Sequence, residues 1–207
     1  MDYIENTHET AERIKSWWKK YGNMVTTIIL VVMLALVGMQ YWQRHQQKVH
    51  GQASLLFQQM QNAVQQKNTA KTTAFANTLK TEYAKSVYAK FAAFTLAQQA
   101  VNAGKLNDAT EQLQWAVNMA STPSIKSIAQ IRLARVLMAQ NKAEHAIDVL
   151  KAVSSKAFVA QADMLRGDAL VMLKKPQAAK NIYQTALAHA GQTSPLYHLI
   201  QIRLASI

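Results

Sequence analysis

A chain of 207 residues holds one ordinary domain and a little more; Ala, Gln, Leu and Lys dominate it, and only three prolines and six glycines interrupt, so an all-α fold is predicted. The absence of cysteine excludes disulfides, thiolate metal sites and cysteine nucleophiles. The formal charge of +12 is dispersed: after Arg44, eighteen Lys/Arg stand against seven Asp/Glu with Lys174-Lys175 the one adjacent pair, so a solvated, mildly cationic helical surface is expected rather than a nucleic-acid patch, with encounter of acidic partners or anionic headgroups the lesser reading.

Residues 1–23, MDYIENTHETAERIKSWWKKYGN, pass from an acidic start to a basic, tryptophan-bearing end, and an amphipathic helix over about 9–20 would rest at headgroups. From Met24 to Trp42 no charge occurs, and Thr26, Thr27 and Gln40 are the polar side chains. Nineteen helical residues reach about 28 Å, close to the thickness of a bilayer's hydrocarbon core. Trp17, Trp18 and Tyr21 before the span, and Tyr41 and Trp42 closing it, form the aromatic belts of a membrane helix. Arg13, Lys15, Lys19 and Lys20 precede it whereas Arg44 and Lys48 follow, which keeps the N-terminus cytoplasmic. The stretch QYWQRHQQ (40–47) offers no small-residue cleavage site, so 24–42 reads as an uncleaved signal anchor with 43–207 outside the cytoplasm.

Beyond the anchor, Ala53, Phe57, Met60 and Val64 fall on one face of a helix from about Gln47 to Lys67, with Ala74 and Leu79 marking its partner. A frame of small and large residues then recurs. Ala97 and Ala109, Ala134 and Ala146, and Gly167 and Ala179 are each twelve apart, and Leu113, Leu150 and Tyr183 follow four later. Copies start 37 and then 33 residues apart, around the period of a tetratricopeptide repeat, and place repeats near 90–120, 127–156 and 160–190. Small residues mark where two antiparallel helices can approach closely. Gly104 and Asn141 suit the left-handed end of each first helix, Lys174 departs from that preference, and Pro176 opens the next helix. Ser121-Thr122-Pro123-Ser124 absorbs the longer gap, and a last helix within 194–207 caps the array.

In such arrays the first helix of each pair lines a concave surface. The frame puts Phe91, Phe94, Gln98 and Val101, then Ile128, Ile131, Arg135 and Met138, then Gln161, Met164, Asp168 and Val171 there. Aromatic and thioether side chains suit adaptable recognition of extended segments; if a flanking helix fills the groove, the same residues become core. The six histidines (8, 45, 50, 145, 189, 198) lie far apart, without a companion carboxylate at ligand spacing, and read as surface residues. No nucleophile elbow, phosphate loop or dinucleotide fingerprint occurs, and Glu144-His145 and Glu82-Tyr83 are solvated pairs, so neither an enzyme nor a cofactor or metal is expected.

The tail and anchor ending in YWQRHQ, the segments IRLARVLMAQNKAEHAIDVL (131–150) and ADMLRGDALVMLKKPQAAKNIYQTAL (162–187), and the ending IQIRLASI resemble the YfgM-type family of ancillary subunits of the Sec translocon, across essentially the whole chain. The resemblance implies a bacterial inner-membrane protein with a periplasmic tetratricopeptide domain, partnered with the SecYEG channel and the membrane-anchored chaperone PpiD. It further implies a role in passing emerging client polypeptides to periplasmic chaperones, and a cytosolic regulator contacted through the tail. A scaffold recruiting another envelope enzyme or assembly factor is the alternative that helical repeats equally permit.

Overall fold

In the computed structural model the described residues are 5–207, side chains 5–12, 14, 25, 29 and 41–48 aside, and the elements among them are nine helices. They are α1 (Glu5–Gln65), α2 (Thr69–Glu82), α3 (Val87–Asn102), α4 (Leu106–Met119), α5 (Pro123–Ala139), α6 (Ala143–Lys151), α7 (Lys156–Met172), α8 (Pro176–Ala190) and α9 (Pro195–Ala205). The chain divides into two units after Gly51. The three segments that the sequence separates before Lys67 all fall within α1, because no proline interrupts 5–65 and its glycines, Gly22, Gly38 and Gly51, are tolerated within a helix.

In the first unit, Lys15–Gln40 is helix long and apolar enough to cross a membrane. Its described apolar side chains from Ile28 to Met39 are half or more exposed on every face, unlike a core helix, which buries one stripe. Thr26 and Thr27 donate their hydroxyls to the carbonyls of Gly22 and Asn23, hiding their polarity as a lipid-facing helix requires. Trp17 packs beside Trp18 and Tyr21, with ring centroids 6.4 and 5.8 Å away, and Lys20 lies over the Tyr21 ring. The side chains of Tyr41 and Trp42 lie outside the described set. The protein is membrane-anchored through this helix.

The second unit is a stack of helix pairs. The sequence frame at Ala97, Ala109, Leu113 and Ala116 continues 37 residues earlier as Met60, Thr72, Ala76 and Leu79, all fully buried. The end of α1 with α2 is therefore a first repeat, ahead of α3/α4, α5/α6 and α7/α8. Its frame was hidden because sizes are exchanged across the crossing. Met60 and Ala76 share one buried cluster, where the next pairs set Ala97 against Leu113 and Ala134 against Leu150. Gly167 against Tyr183 is the extreme case. Close packing conserves the summed volume at such contacts, not the residue at either place. Thr72 and Ala76 carry the buried face of α2, so Ala74 is exposed, a correction of two residues, and Val64 likewise turns outward.

The same turn closes every first helix. Lys67, Gly104, Asn141 and Lys174 have φ of 56, 72, 60 and 57°, and the residue after each donates its N–H five residues back, as in Lys105 to Ala100 and Lys175 to Leu170 at 2.8 and 2.9 Å. This is the Schellman arrangement, which satisfies the last carbonyls of the helix. α2 is opened by Asn68, and α3, α5 and α9 by Ser86, Thr122 and Ser194, whose side chains accept backbone N–H bonds; Pro123, Pro176 and Pro195 occupy first helical positions. Ile200 of α9 stands 33 residues after Gly167, fully buried with Met164, Tyr183 and Ala186, so α9 packs in the place of the first helix of a fifth repeat.

Candidate protein-binding groove

The frame that builds the stack also decides which first-helix side chains face outward. The residues three before each small position pack between neighbouring first helices: Phe94, Ile131 and Met164 are only 5, 4 and 4% exposed. Ile131 and Met164 are thus core, a correction of the sequence reading, and Phe94 shows one edge. The outer positions remain open, with Phe91, Val101 and Val171 exposed by 38, 37 and 40%. Gln98 and Arg135 are exposed, while Ile128, Met138, Gln161 and Asp168 are half-buried.

Two adjoining clefts gather the N-terminal half of this face. One, of about 370 Å³, runs between α3, α4 and α5 and is lined by Phe94, Gln98, Val101, Leu106, Arg132 and Arg135. The other, of about 590 Å³, lies across α1, α3 and α5 between Phe57, Gln61, Val64, Phe91, Asn102 and Arg132. Phe57, Gln61 and Val64 were missed by the sequence reading, yet they occupy the same offsets from Met60 as Phe94, Gln98 and Val101 do from Ala97. Carrying the frame back one repeat finds them. Arg132 lies off the frame and stacks on the Phe94 ring, 4.6 Å from guanidinium carbon to centroid. Phe57, Phe91 and Phe94 form a tilted ladder with centroids 6.1 and 6.2 Å apart. The Gln98 amide donates to Asn102 at 3.0 Å, which orients both side chains along the cleft wall.

The C-terminal half is different. Asp168 accepts a bond from the Tyr183 hydroxyl at 2.7 Å and faces the Arg203 guanidinium at 3.6 Å. Arg203, Ser206 and Ile207 form a second wall opposite Met138, Val171 and Met172, around a cleft of about 410 Å³. The array's own C-terminus thus borders this half. Burial, then the bond to Asp168 and its charge, raise the Tyr183 phenol far above its ordinary range, against an opposing pull from Arg203. Arg132 is lowered by burial and then by the like charge of Arg135.

His189 is exposed, as the sequence suggests, and has a partner that the sequence does not show. Its Nδ1 lies 2.9 Å from the buried carboxylate of Asp163, which also accepts from Arg166 at 2.8 Å. The partner is 26 residues away in sequence and one helix away in space, so spacing along the chain conceals it. Among the described residues no three of His, Asp and Glu converge as a metal-binding set.

Apolar rings, amides and guanidinium groups along one wall are chemistry that can hold a chain in place; they carry no nucleophile or general base aimed at a common point. Comparison with known proteins places the geometry in a family. Curated relatives called "Ancillary SecYEG translocon subunit" match along their whole length: that of Escherichia coli (strain K12) is 27% identical over 207 residues, covering 100% of this chain and 99% of the relative. The one from Haemophilus influenzae is 27% identical over 192 residues, 93% of this chain and 94% of its own. That of Aggregatibacter actinomycetemcomitans is 27% identical over 208 residues, covering 100% of both. The tetratricopeptide repeat-like domain matches residues 15–207, the same residues that supply the apolar helix and the turn-matched pairs, and the chain belongs to that family.

Proposed function

We propose that this chain is a non-catalytic, membrane-anchored adaptor at the Sec translocon, and that its repeat domain receives exported polypeptides and helps pass them to periplasmic chaperones of the PpiD type. In this reading residues 1–23 stay in the cytoplasm, 24–42 span the inner membrane, and 43–207 stand in the periplasm. The excess of Lys and Arg before the span supports that orientation. The names of the full-length relatives support the site of action. The observation that carries the reading is the open N-terminal half of the concave face, where Phe91 and Val101 stand exposed beside two clefts in a domain with no catalytic constellation on that wall.

The test is photo-crosslinking in cells from positions 91 and 101, with the exposed position 180 on α8 as a control. Crosslinks to channel subunits, a periplasmic chaperone or nascent secretory chains from 91 and 101 but not 180 are expected. Adducts confined to envelope enzymes would refute the translocon role. A reporter fused after Ile207 that works only in the cytosol would refute the orientation.

A further inference from the structure

We infer that the open half of the groove selects extended polypeptide segments in which acidic residues stand next to aromatic or aliphatic ones. The inference rests on the reading of the concave face as the binding surface and names the chemistry of what that surface takes.

The argument begins with what the two clefts lack. No Asp or Glu lines either of them, yet Arg132 borders both and Arg135 borders one. Among the described residues neither guanidinium has a carboxylate within ion-pair distance, whereas Arg166 and Arg203 at the other end of the array are held by Asp163 and Asp168. The contrast is between neighbouring repeats of one stack. The C-terminal half pairs its two arginines internally, and the N-terminal half keeps two unpaired ones on its wall. Both guanidinium groups line the first cleft, and the like charge of Arg135 disfavours that of Arg132, so an anion entering there relieves a repulsion as well as gaining an attraction.

The rest of the wall says what must accompany the anion. Phe57 and Phe91, with one edge of Phe94, present ring surface for apolar side chains, and Gln61, Gln98 and Asn102 offer amide donors and acceptors to a backbone not already paired in a helix or sheet. Stacking on Phe94 holds the Arg132 guanidinium plane in place, so less freedom is lost when it grips a carboxylate with two parallel bonds. A uniformly apolar segment would leave two desolvated guanidinium groups unanswered, and a basic one would be repelled.

The experiment uses the full chain in nanodiscs of neutral lipid and three fluorescent twelve-residue peptides of common framework, with leucine and phenylalanine at alternate positions. One carries two Asp and one Glu between them; in the second these become Asn and Gln; in the third, Lys. Binding is read by anisotropy at low and moderate salt. The acidic peptide is expected to bind roughly tenfold more tightly than the amide one, with the lysine peptide weakest and the advantage shrinking with salt. Arg132→Gln with Arg135→Gln should bring the acidic and amide peptides to within about twofold of each other, while Arg132→Lys with Arg135→Lys keeps most of the gap. Phe91→Ser should weaken both peptides alike. If acidic and amide peptides bind equally while Phe91→Ser still weakens both, the acidic preference is wrong and the groove survives. If neither Phe91→Ser nor the paired Gln variant alters the binding of any peptide, or none binds, the groove assignment falls with it.

Discussion

Exchanging size across a helix crossing makes a prediction whose sign depends on background. Gly167 lies in the interior of α7, where Ala in its place gains about 1 kcal/mol of helix propensity. The added methyl would stand 2.6 Å from Cδ1 and 2.7 Å from Cζ of Tyr183, and closer still to Cε1, where carbon atoms prefer about 3.5–4.0 Å. The ring must therefore retreat by about 1 Å. It is fully buried, and its hydroxyl is tied to Asp168, so the move disturbs packing and a bond together. Overpacking of this degree costs about 3 kcal/mol, leaving Gly167→Ala destabilising by about 2 kcal/mol, or about 4–8 °C in Tm for a chain of this length. Tyr183→Leu alone opens a cavity and frees Asp168, at about 2–4 kcal/mol. Adding Gly167→Ala to Tyr183→Leu recreates the Ala134 and Leu150 pair of the preceding repeat. There the methyl meets no ring and returns its helix gain, so the second change stabilises by about 1 kcal/mol and the coupling is about 3 kcal/mol. Thermal and urea unfolding of the full chain in detergent, followed by far-ultraviolet circular dichroism, measures all four corners of the cycle. Gly167→Ala having the same sign in both backgrounds would refute size complementarity as the organising rule.

Four further expectations follow from the same geometry. Lys174→Gly relieves a left-handed lysine and should raise Tm by the equivalent of about 1 kcal/mol, whereas Gly104→Val, with open space around its Cβ, should lower it by about 1–2 kcal/mol through backbone strain alone. Ser86→Ala removes the acceptor for the Ala89 N–H, 3.2 Å away at a buried helix start, and should cost about 1 kcal/mol in urea unfolding. Tyr183 ionises later folded than unfolded, so its contribution is whole below pH about 10 and is lost as pH rises through the folded value. Tyr183→Phe should flatten the fall of Tm in that alkaline range, and ultraviolet titration of the wild type should show a tyrosine ionisation coincident with unfolding that Tyr183→Phe lacks. Finally, Ile131→Ser should cost about 2–4 kcal/mol whereas Phe91→Ser stays within about 1 kcal/mol in the same assay, since the first is core and the second is wall.

What the sequence disclosed is what small residues disclose. Ala97, Ala134 and Gly167 are visible because alanine and glycine at fixed spacing have few other reasons to recur, and from them three repeats, their turns and the capping helix can be drawn. The first pair could be read as two helices but not placed in the frame, because Met60 occupies the small place and Ala76 the large one. Packing constrains their sum, and a pattern search that asks for a small residue at one position cannot see a constraint on two. The turns are legible in the same partial way. Lys67 and Lys174 adopt the conformation that glycine adopts at 104 because the carbonyls at the end of α1 and α7 must be met by the next two N–H groups, and that need acts on the backbone whatever side chain is present.

The groove was half legible for a related reason. Offsets within one repeat tell which way a side chain points from its own helix, and Phe91, Gln98, Val101 and Arg135 do face outward. They do not tell how closely the next first helix approaches, and it approaches closely enough to bury Ile131 and Met164. Nor do they tell that Asp168 will be met by Tyr183 from its own repeat and by Arg203 from α9. A binding wall in a solenoid is a property of neighbours, so its two ends can diverge while the repeat stays constant. Here the end with α9 pairs Arg166 and Arg203 with its own carboxylates, and the end beside α1 leaves Arg132 and Arg135 facing the cleft, where an acidic ligand can meet them.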